Sequence, residues 1–207
     1  MRIIDRCAYG LAKGLAKQMN ESHEKRGVYY YGFQIVLGSI VKVLLLTIIS
    51  LIFGAFVPTA ILLFFFATLR VVAGGVHMDT YGKCITSSLI LFMACSVLVR
   101  YTYMYWSFAL VVGFAAAVFL FGLLTMIKWA PGDTPNKPIT TVTQVKKLKL
   151  FSIVYMFLWA ALVAVLIYFD LPMYALASTF GVLLECFTVT PLGYRLFEGL
   201  EKSLNSL

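Results

Sequence analysis

The chain has 207 residues, of which 61% are hydrophobic and 13% are charged. Soluble globular proteins are about 45–50% apolar and about 25% charged, so the composition argues against a soluble enzyme, a disordered chain or a disulfide scaffold. In a membrane protein, a net charge of +8 indicates loops beside an anionic lipid leaflet rather than a nucleic-acid partner, and it also suits an acidic peptide substrate. We predict a single integral membrane domain over residues 1–207, with lipid as its solvent.

The first 31 residues are predicted to form an amphipathic segment that lies in the plane of the lipid headgroups. Six Lys and Arg residues supply its polar side. Its apolar residues recur near helical spacing and are Ile3, Ile4, Leu11, Leu15 and Met19. An ordinary juxtamembrane helix is favoured over a helix that docks a partner.

Six apolar stretches follow, and together they predict an all-α membrane protein with a transmembrane bundle over residues 33–190. A helix needs about 20 residues to cross the bilayer. The second and third stretches are nearer 15 residues and are marginal as complete spans. The stretches cover residues 33–57, 59–73, 84–99, 106–127, 148–169 and 171–190.

The cations alternate from one connection to the next. They occur in the N-terminal segment, around residues 70–83, in the connection 128–149 and in the tail, whereas the other connections hold only Arg100. Lys42 lies inside the first stretch. Because cytoplasmic loops are enriched in Lys and Arg, six spans with both termini in the cytoplasm account for this distribution.

Residues 70–84 stand apart from the apolar background because they carry reactive side chains. Gly74 and Gly75 should end the second helix. Cys84 should then lie in the first turns of the third helix, where the helix dipole favours a thiolate, and His77 is a natural base for it. On one continuous helix these two residues would be about 10 Å apart, so a catalytic pair requires the chain to fold back. The alternatives are a packed cysteine and a solvated histidine.

Other polar residues are inferred to lie at the same depth of the bilayer. They are Arg70, Gln34 at the start of the first span and Glu185 in the sixth. Ionisable groups inside a membrane are costly, so they are candidates for function. One His and one Cys make a poor zinc site, and we expect no metal or organic cofactor.

Three groups of residues resemble the AgrB family, the accessory gene regulator protein B of Gram-positive quorum sensing. The resemblance covers nearly the whole chain. The groups are Arg70…Gly75-Val-His77…Cys84, Ala130-Pro131…Lys137-Pro138-Ile139 and Gly181…Leu184-Glu185…Pro191.

This resemblance implies a cysteine endopeptidase of the cell membrane with its active site on the cytoplasmic side. Its substrate would be an AgrD-type propeptide, which Cys84 attacks while His77 transfers the proton. Arg70 and the backbone N–H groups at Gly75 or near Cys84 are candidates to hold the oxyanion or the peptide tail, and Gln34 and Glu185 are further candidates to support the substrate. The acyl-enzyme would cyclise to a thiolactone or lactone. The resemblance also implies a homodimer.

The connection 128–149, which we call the basic connection, is a candidate site for the acidic propeptide tail. Its cations could equally serve only to set topology. The residues concerned are Lys137, Lys146, Lys147 and Lys149. A small transporter or a non-catalytic membrane scaffold remains the alternative function. The outer halves of the spans are nearly uncharged, which argues against a transport pathway, and a scaffold would not explain why polar groups gather on one side.

Overall fold

The computed structural model describes residues 2–76, 81–132 and 141–205, and these residues form eight α-helices and one 3-10 turn. The turn covers Tyr103–Tyr105. The helices are α1 (Arg2–Gln18), α2 (His23–Ile52), α3 (Phe56–Ala73), α4 (Tyr81–Thr102), α5 (Phe108–Trp129), α6 (Val142–Tyr168), α7 (Pro172–Val189) and α8 (Pro191–Asn205).

Six of these helices, α2 to α7, are long and apolar enough to cross a membrane, which confirms the predicted all-α, multi-span architecture. The two stretches that were marginal in the sequence belong to longer helices, since α3 has 18 residues and α4 has 22. They exceed the apolar stretches because Phe56 to Pro58 and the polar residues that flank Cys84 and Val99 continue the same helices. Of the six, α7 is the most buried, and it packs against α3, α4, α5 and α6.

The structure divides the predicted amphipathic segment, residues 1–31, between two helices. Helix α1 ends at Gln18, and residues 23–31 are the first turns of α2. Ser22 caps α2, accepting a hydrogen bond from the Lys25 backbone N–H at 3.5 Å. Residues 29–31 are tyrosines that continue α2 into the apolar stretch. Because α2 begins among polar residues, the change from polar to apolar sequence does not mark the start of the helix.

The side of α1 that packs against α2 also differs from the predicted apolar face. It consists of alanines spaced one turn apart, and Ala8, Ala12 and Ala16 are buried. Leu11 and Met19 are instead about half exposed, at 48% and 55%. Small side chains allow two helices to approach closely, which leaves the larger apolar residues available to lipid.

The basic connection is shorter than predicted, because α6 begins at Val142 rather than near residue 148. Lys146, Lys147 and Lys149 therefore belong to the first turns of a helix and not to a loop. Long lysine stems can lie along a helix while their ammonium groups reach the headgroups, so an apolar stretch understates the helix length. Lys137 lies outside the described residues.

Helices α3 and α7 approach each other closely at Gly181. A Cβ atom at Gly181 would lie 2.5 Å from the carbonyl oxygen of Leu62. Leu62 is fully buried, and the contacting atom belongs to the backbone, so neither can move aside easily. Gly181 thus sets the separation of the two helices.

We expect Gly181→Ala to destabilise the bundle by about 1–3 kcal/mol, because the added methyl group must push α3 and α7 apart. The matched control is Gly113→Ala on α5, where a Cβ atom meets nothing within 4 Å. Thermal unfolding of both variants in detergent measures the difference. The prediction fails if Gly181→Ala melts at or above the temperature of Gly113→Ala.

Candidate functional site

A three-residue turn after α3 begins the site, and we call Gly74, Gly75 and Val76 the site loop. Gly74 caps α3 with φ of 71° and Gly75 has φ of 128°, both in the region that favours glycine. The Val76 N–H donates to the Thr188 carbonyl of α7 at 3.2 Å. The diglycine therefore ends α3, as predicted, and directs the chain towards α7.

Arg70 connects the last turn of α3 to α7 and to the site loop. Its Nη1 donates to Glu185 Oε2 at 3.1 Å and to Thr188 Oγ1 at 3.0 Å, and its Nη2 donates to the Val76 carbonyl. The Glu185 side chain is fully buried, whereas that of Arg70 is 20% exposed. Because a lone buried carboxylate is very costly, this ion pair locks the two helices in one register.

The site loop also contacts the segment that follows α5. The Gly132 N–H donates to the Ala73 carbonyl at 2.7 Å, and Gly132 forms a parallel backbone bridge with Gly74. A Cβ atom at Gly74 would lie 2.2 Å from the Gly132 carbonyl oxygen. Only glycine permits this approach, so the start of the basic connection is joined to the site loop by its backbone.

Cys84 is the fourth residue of α4, within the first turns as predicted, and its side chain is half-buried. The sulfur lies 3.5 Å from Lys42 Nζ, which projects from the middle of α2. Lys42 Nζ also donates to Ser88 Oγ at 3.2 Å, one turn along α4 from the cysteine. A positive charge thus stands beside the candidate nucleophile.

Cys84 and Lys42 line a cavity of about 770 Å³ between α2, α3 and α4. Arg70, Val76 and Thr188 contribute to the wall of the same cavity. The remainder of the lining is mainly apolar, from residues such as Leu46, Leu63, Phe66 and Phe92. A mainly apolar pocket with a few converging polar groups is the usual form of a substrate site.

The predicted site residues fall into three groups. Arg70, Gly75 and Glu185 are in mutual proximity, since a Cβ atom at Gly75 would lie 2.8 Å from Arg70 Nη1 and 3.5 Å from Glu185 Oε1. Cys84 shares the cavity wall with Arg70. Gln34 is engaged elsewhere, because it donates to Asp5 Oδ1 and to the Tyr30 hydroxyl, both at 2.8 Å.

His77 and Lys137 lie outside the described residues, so their predicted roles stay predictions. The same holds for the role of the α6 lysines, of which Lys146 and Lys147 are exposed and Lys149 is half-buried. Lys42 was missed as a site residue. The signal was present, since it is the charged residue inside the first apolar stretch.

The other three cysteines are placed differently from Cys84. Cys7 is exposed on α1, Cys95 packs beside the cluster around Phe92, and Cys186 is fully buried. All four thiols are free. Within the described ranges, no group of three His, Cys, Asp or Glu side chains could hold a metal ion.

Comparison with known proteins gives a family match over most of the chain. The family model for Accessory gene regulator B matches residues 7–189. AgrB-like protein 2 of Clostridium perfringens is 25% identical, over 99% of this chain and all of its own length. Accessory gene regulator protein B of Staphylococcus aureus is 26% identical, over 93% of this chain and 97% of its own. No solved structure matches the chain.

We expect Arg70→Met and Glu185→Leu each to cost about 3–5 kcal/mol of stability, because each leaves a charge without its partner. The double variant should cost less than the sum of the two, by at least about 1 kcal/mol. The free energies of unfolding of the original protein, the two single variants and the double variant, measured in mixed micelles, give the interaction energy of the two side chains. Strict additivity would show that the two side chains do not interact.

Proposed function

The chain belongs to the accessory gene regulator B family of quorum-sensing proteins, and we propose that it is a membrane-embedded cysteine endopeptidase. In this proposal the substrate is an AgrD-type propeptide with a membrane-seeking leader, a short signal core and an acidic tail. The enzyme cleaves the bond between core and tail. It then promotes closure of the core into a thiolactone or lactone ring.

The observation that carries this proposal is the position of Cys84. Its half-buried sulfur faces a cavity among the spans and has a cationic neighbour in Lys42. A thiol becomes a nucleophile where nearby positive charge favours its ionised form. Cys7, Cys95 and Cys186 lie outside this cavity wall, so Cys84 is the thiol best suited to attack a peptide.

The proposed reaction has two steps. Cys84 Sγ attacks the carbonyl that joins core to tail, His77 takes the thiol proton and passes it to the leaving amine, and the C–N bond breaks to give an acyl-enzyme thioester. A Cys or Ser side chain of the core then gives its proton to the neutral His77 and attacks the thioester carbonyl. The C–S bond breaks, the ring closes, and Cys84 leaves as a thiolate. The apolar wall excludes water, which favours cyclisation over hydrolysis.

Two structural features support the assignment of His77 as the base. Its chain neighbour Val76 lines the same cavity as Cys84. Val76 is also held to Thr188 and to Arg70 by its backbone groups. The segment that carries the histidine therefore starts from an ordered position at the cavity wall, and Arg70 contributes to the site by maintaining that position.

We expect Cys84→Ser to slow propeptide cleavage by at least about 10³-fold, because a hydroxyl is a far weaker nucleophile at neutral pH. His77→Ala should have a comparable effect. Both variants should insert into membranes normally. Cleavage is followed by mass analysis of cells that co-express a tagged propeptide.

The matched control is the triple variant Cys7→Ala, Cys95→Ala and Cys186→Ala. It should retain activity and lose it on treatment with a thiol-alkylating reagent. Near-normal processing by Cys84→Ser would exclude Cys84 as the nucleophile. It would also return the transporter and scaffold alternatives to consideration.

The lysines of α6 are proposed to recruit the acidic tail at the cytoplasmic side. Reversal of charge at Lys146 and Lys147 should raise the apparent KM about threefold to tenfold and leave kcat nearly unchanged, since long-range attraction assists encounter rather than chemistry. Basic substitutions in the propeptide tail should partly restore KM. The effect should diminish with added salt, because the screening length, the distance over which charges attract, falls to about 8 Å at physiological ionic strength.

Charge reversal at Lys128, which stacks on Trp129 at the end of α5, is the control. It shows whether a change in the net charge of the protein alone alters KM. The proposal also requires α6 to begin in the cytoplasm, with both chain termini on that side. A cysteine introduced at the exposed Thr143 in a cysteine-free background should be labelled only from inside. Labelling from outside would contradict both the orientation and the recruitment.

A further inference from the structure

We propose that Lys42 is the charge partner of Cys84, and that its ammonium group stabilises the thiolate both before attack and when the ring-closing step releases the sulfur. This inference rests on the proposed function, because it assigns a role within the same site. It adds a residue from α2 to a reaction whose other groups lie at the ends of α3 and α4.

The position of Lys42 in the fold favours a negatively charged partner. It lies near the middle of α2, a spanning helix, where an ammonium group without partners is costly. Among the described residues, the ion pairs are Lys25 with Glu21 and Arg70 with Glu185, so no described carboxylate neutralises Lys42. Its observed side-chain partners are Ser88 and Cys84.

Ser88 positions the ammonium group of Lys42. The Ser88 hydroxyl donates to the Cys84 carbonyl at 2.7 Å, so its oxygen faces Lys42 as an acceptor. Cys84 and Ser88 are four residues apart and share one face of α4. The hydroxyl therefore holds Lys42 Nζ against the face from which the sulfur projects.

Lys42 differs from the other described cation in the wall of this cavity. Arg70 also lines it, but its guanidinium is committed to Glu185, Thr188 and Val76. Lys42 is thus the cation in the described cavity wall whose charge no carboxylate offsets. A thiolate at Cys84 would supply the missing negative charge, and each group would lower the cost of the other in an apolar setting.

Lys42 keeps its proton throughout this scheme. The thiol proton moves to His77 and then to the leaving amine, as in the proposed reaction. When the core nucleophile gives its proton to His77 and attacks the thioester, the C–S bond breaks and the electron pair returns to Cys84 Sγ beside Lys42. The ammonium group therefore assists the departure of sulfur as well as its attack.

The test measures the alkylation rate of Cys84 in the otherwise cysteine-free protein, embedded in native membranes, with the neutral reagent iodoacetamide. Lys42→Met should react about tenfold more slowly at neutral pH, because the ammonium no longer favours the thiolate. The deficit should shrink as the pH is raised, since hydroxide then removes the thiol proton without assistance. Propeptide cleavage should fall in parallel.

Lys42→Arg keeps the charge and should retain most of the alkylation rate, and Lys128→Met controls for loss of a lysine elsewhere. An unchanged rate in Lys42→Met would overturn the proposal. So would a deficit that is equal at every pH, because that pattern reports altered access to the thiol. If the pH-dependent deficit appears but Cys84→Ser still processes the propeptide, the pair exists and the proposed peptidase activity is wrong.

Discussion

The pairing of Arg70 with Glu185 is the interaction on which the site depends. A carboxylate that is completely buried among apolar helices must meet a donor, and the donor here comes from the last turn of α3. The same guanidinium then reaches the Val76 carbonyl and Thr188. One side chain thereby fixes two helices and the site loop together, which no set of nondirectional apolar contacts could do as specifically.

Two cations share the cavity wall, and their surroundings separate their roles. Arg70 is offset by a buried carboxylate and acts as a brace for the backbone. Lys42 has a hydroxyl and a thiol as its partners, so its charge is available to the sulfur. This division follows from the helices that face the two cations. Helix α7 brings the acid Glu185 towards α3, whereas α4 brings Cys84 and Ser88 towards Lys42 of α2.

Much of this architecture is readable from the sequence. Apolar length predicted six spans, the diglycine predicted the end of α3, and the position of Cys84 in the first turns of α4 followed from them. Family resemblance pointed to Cys84 and Arg70, whereas the geometry showed what Arg70 contacts. Lys42 contacts residues that are 42 and 46 positions further along the chain, and the Gly74–Gly132 bridge spans 58 positions. Hydrophobic periodicity describes neighbours within one helix, so it gave no signal for these contacts.

The differences between the sequence prediction and the structure have physical causes. Helices α2 and α6 begin in polar sequence, before the apolar stretches that revealed them. Hydropathy locates the lipid-immersed part of a helix, while helix propensity and capping determine its end. Gln34 was grouped with the site by inferred depth, but depth does not specify which neighbouring helix a side chain faces, and its partners lie on α1 and α2.

The distance along the chain between Arg70 and Glu185 has a consequence for biosynthesis. The two partners are 115 residues apart, and Glu185 belongs to the last spanning helix. While the ribosome is still making the later spans, Arg70 has no carboxylate from α7, and Val76 has no Thr188 carbonyl. Cys84 and Lys42 emerge early, but the site loop beside them is organised only after the last of the spanning helices has inserted. A nascent chain therefore carries the Cys84 sulfur before the contacts that order the site around it can form.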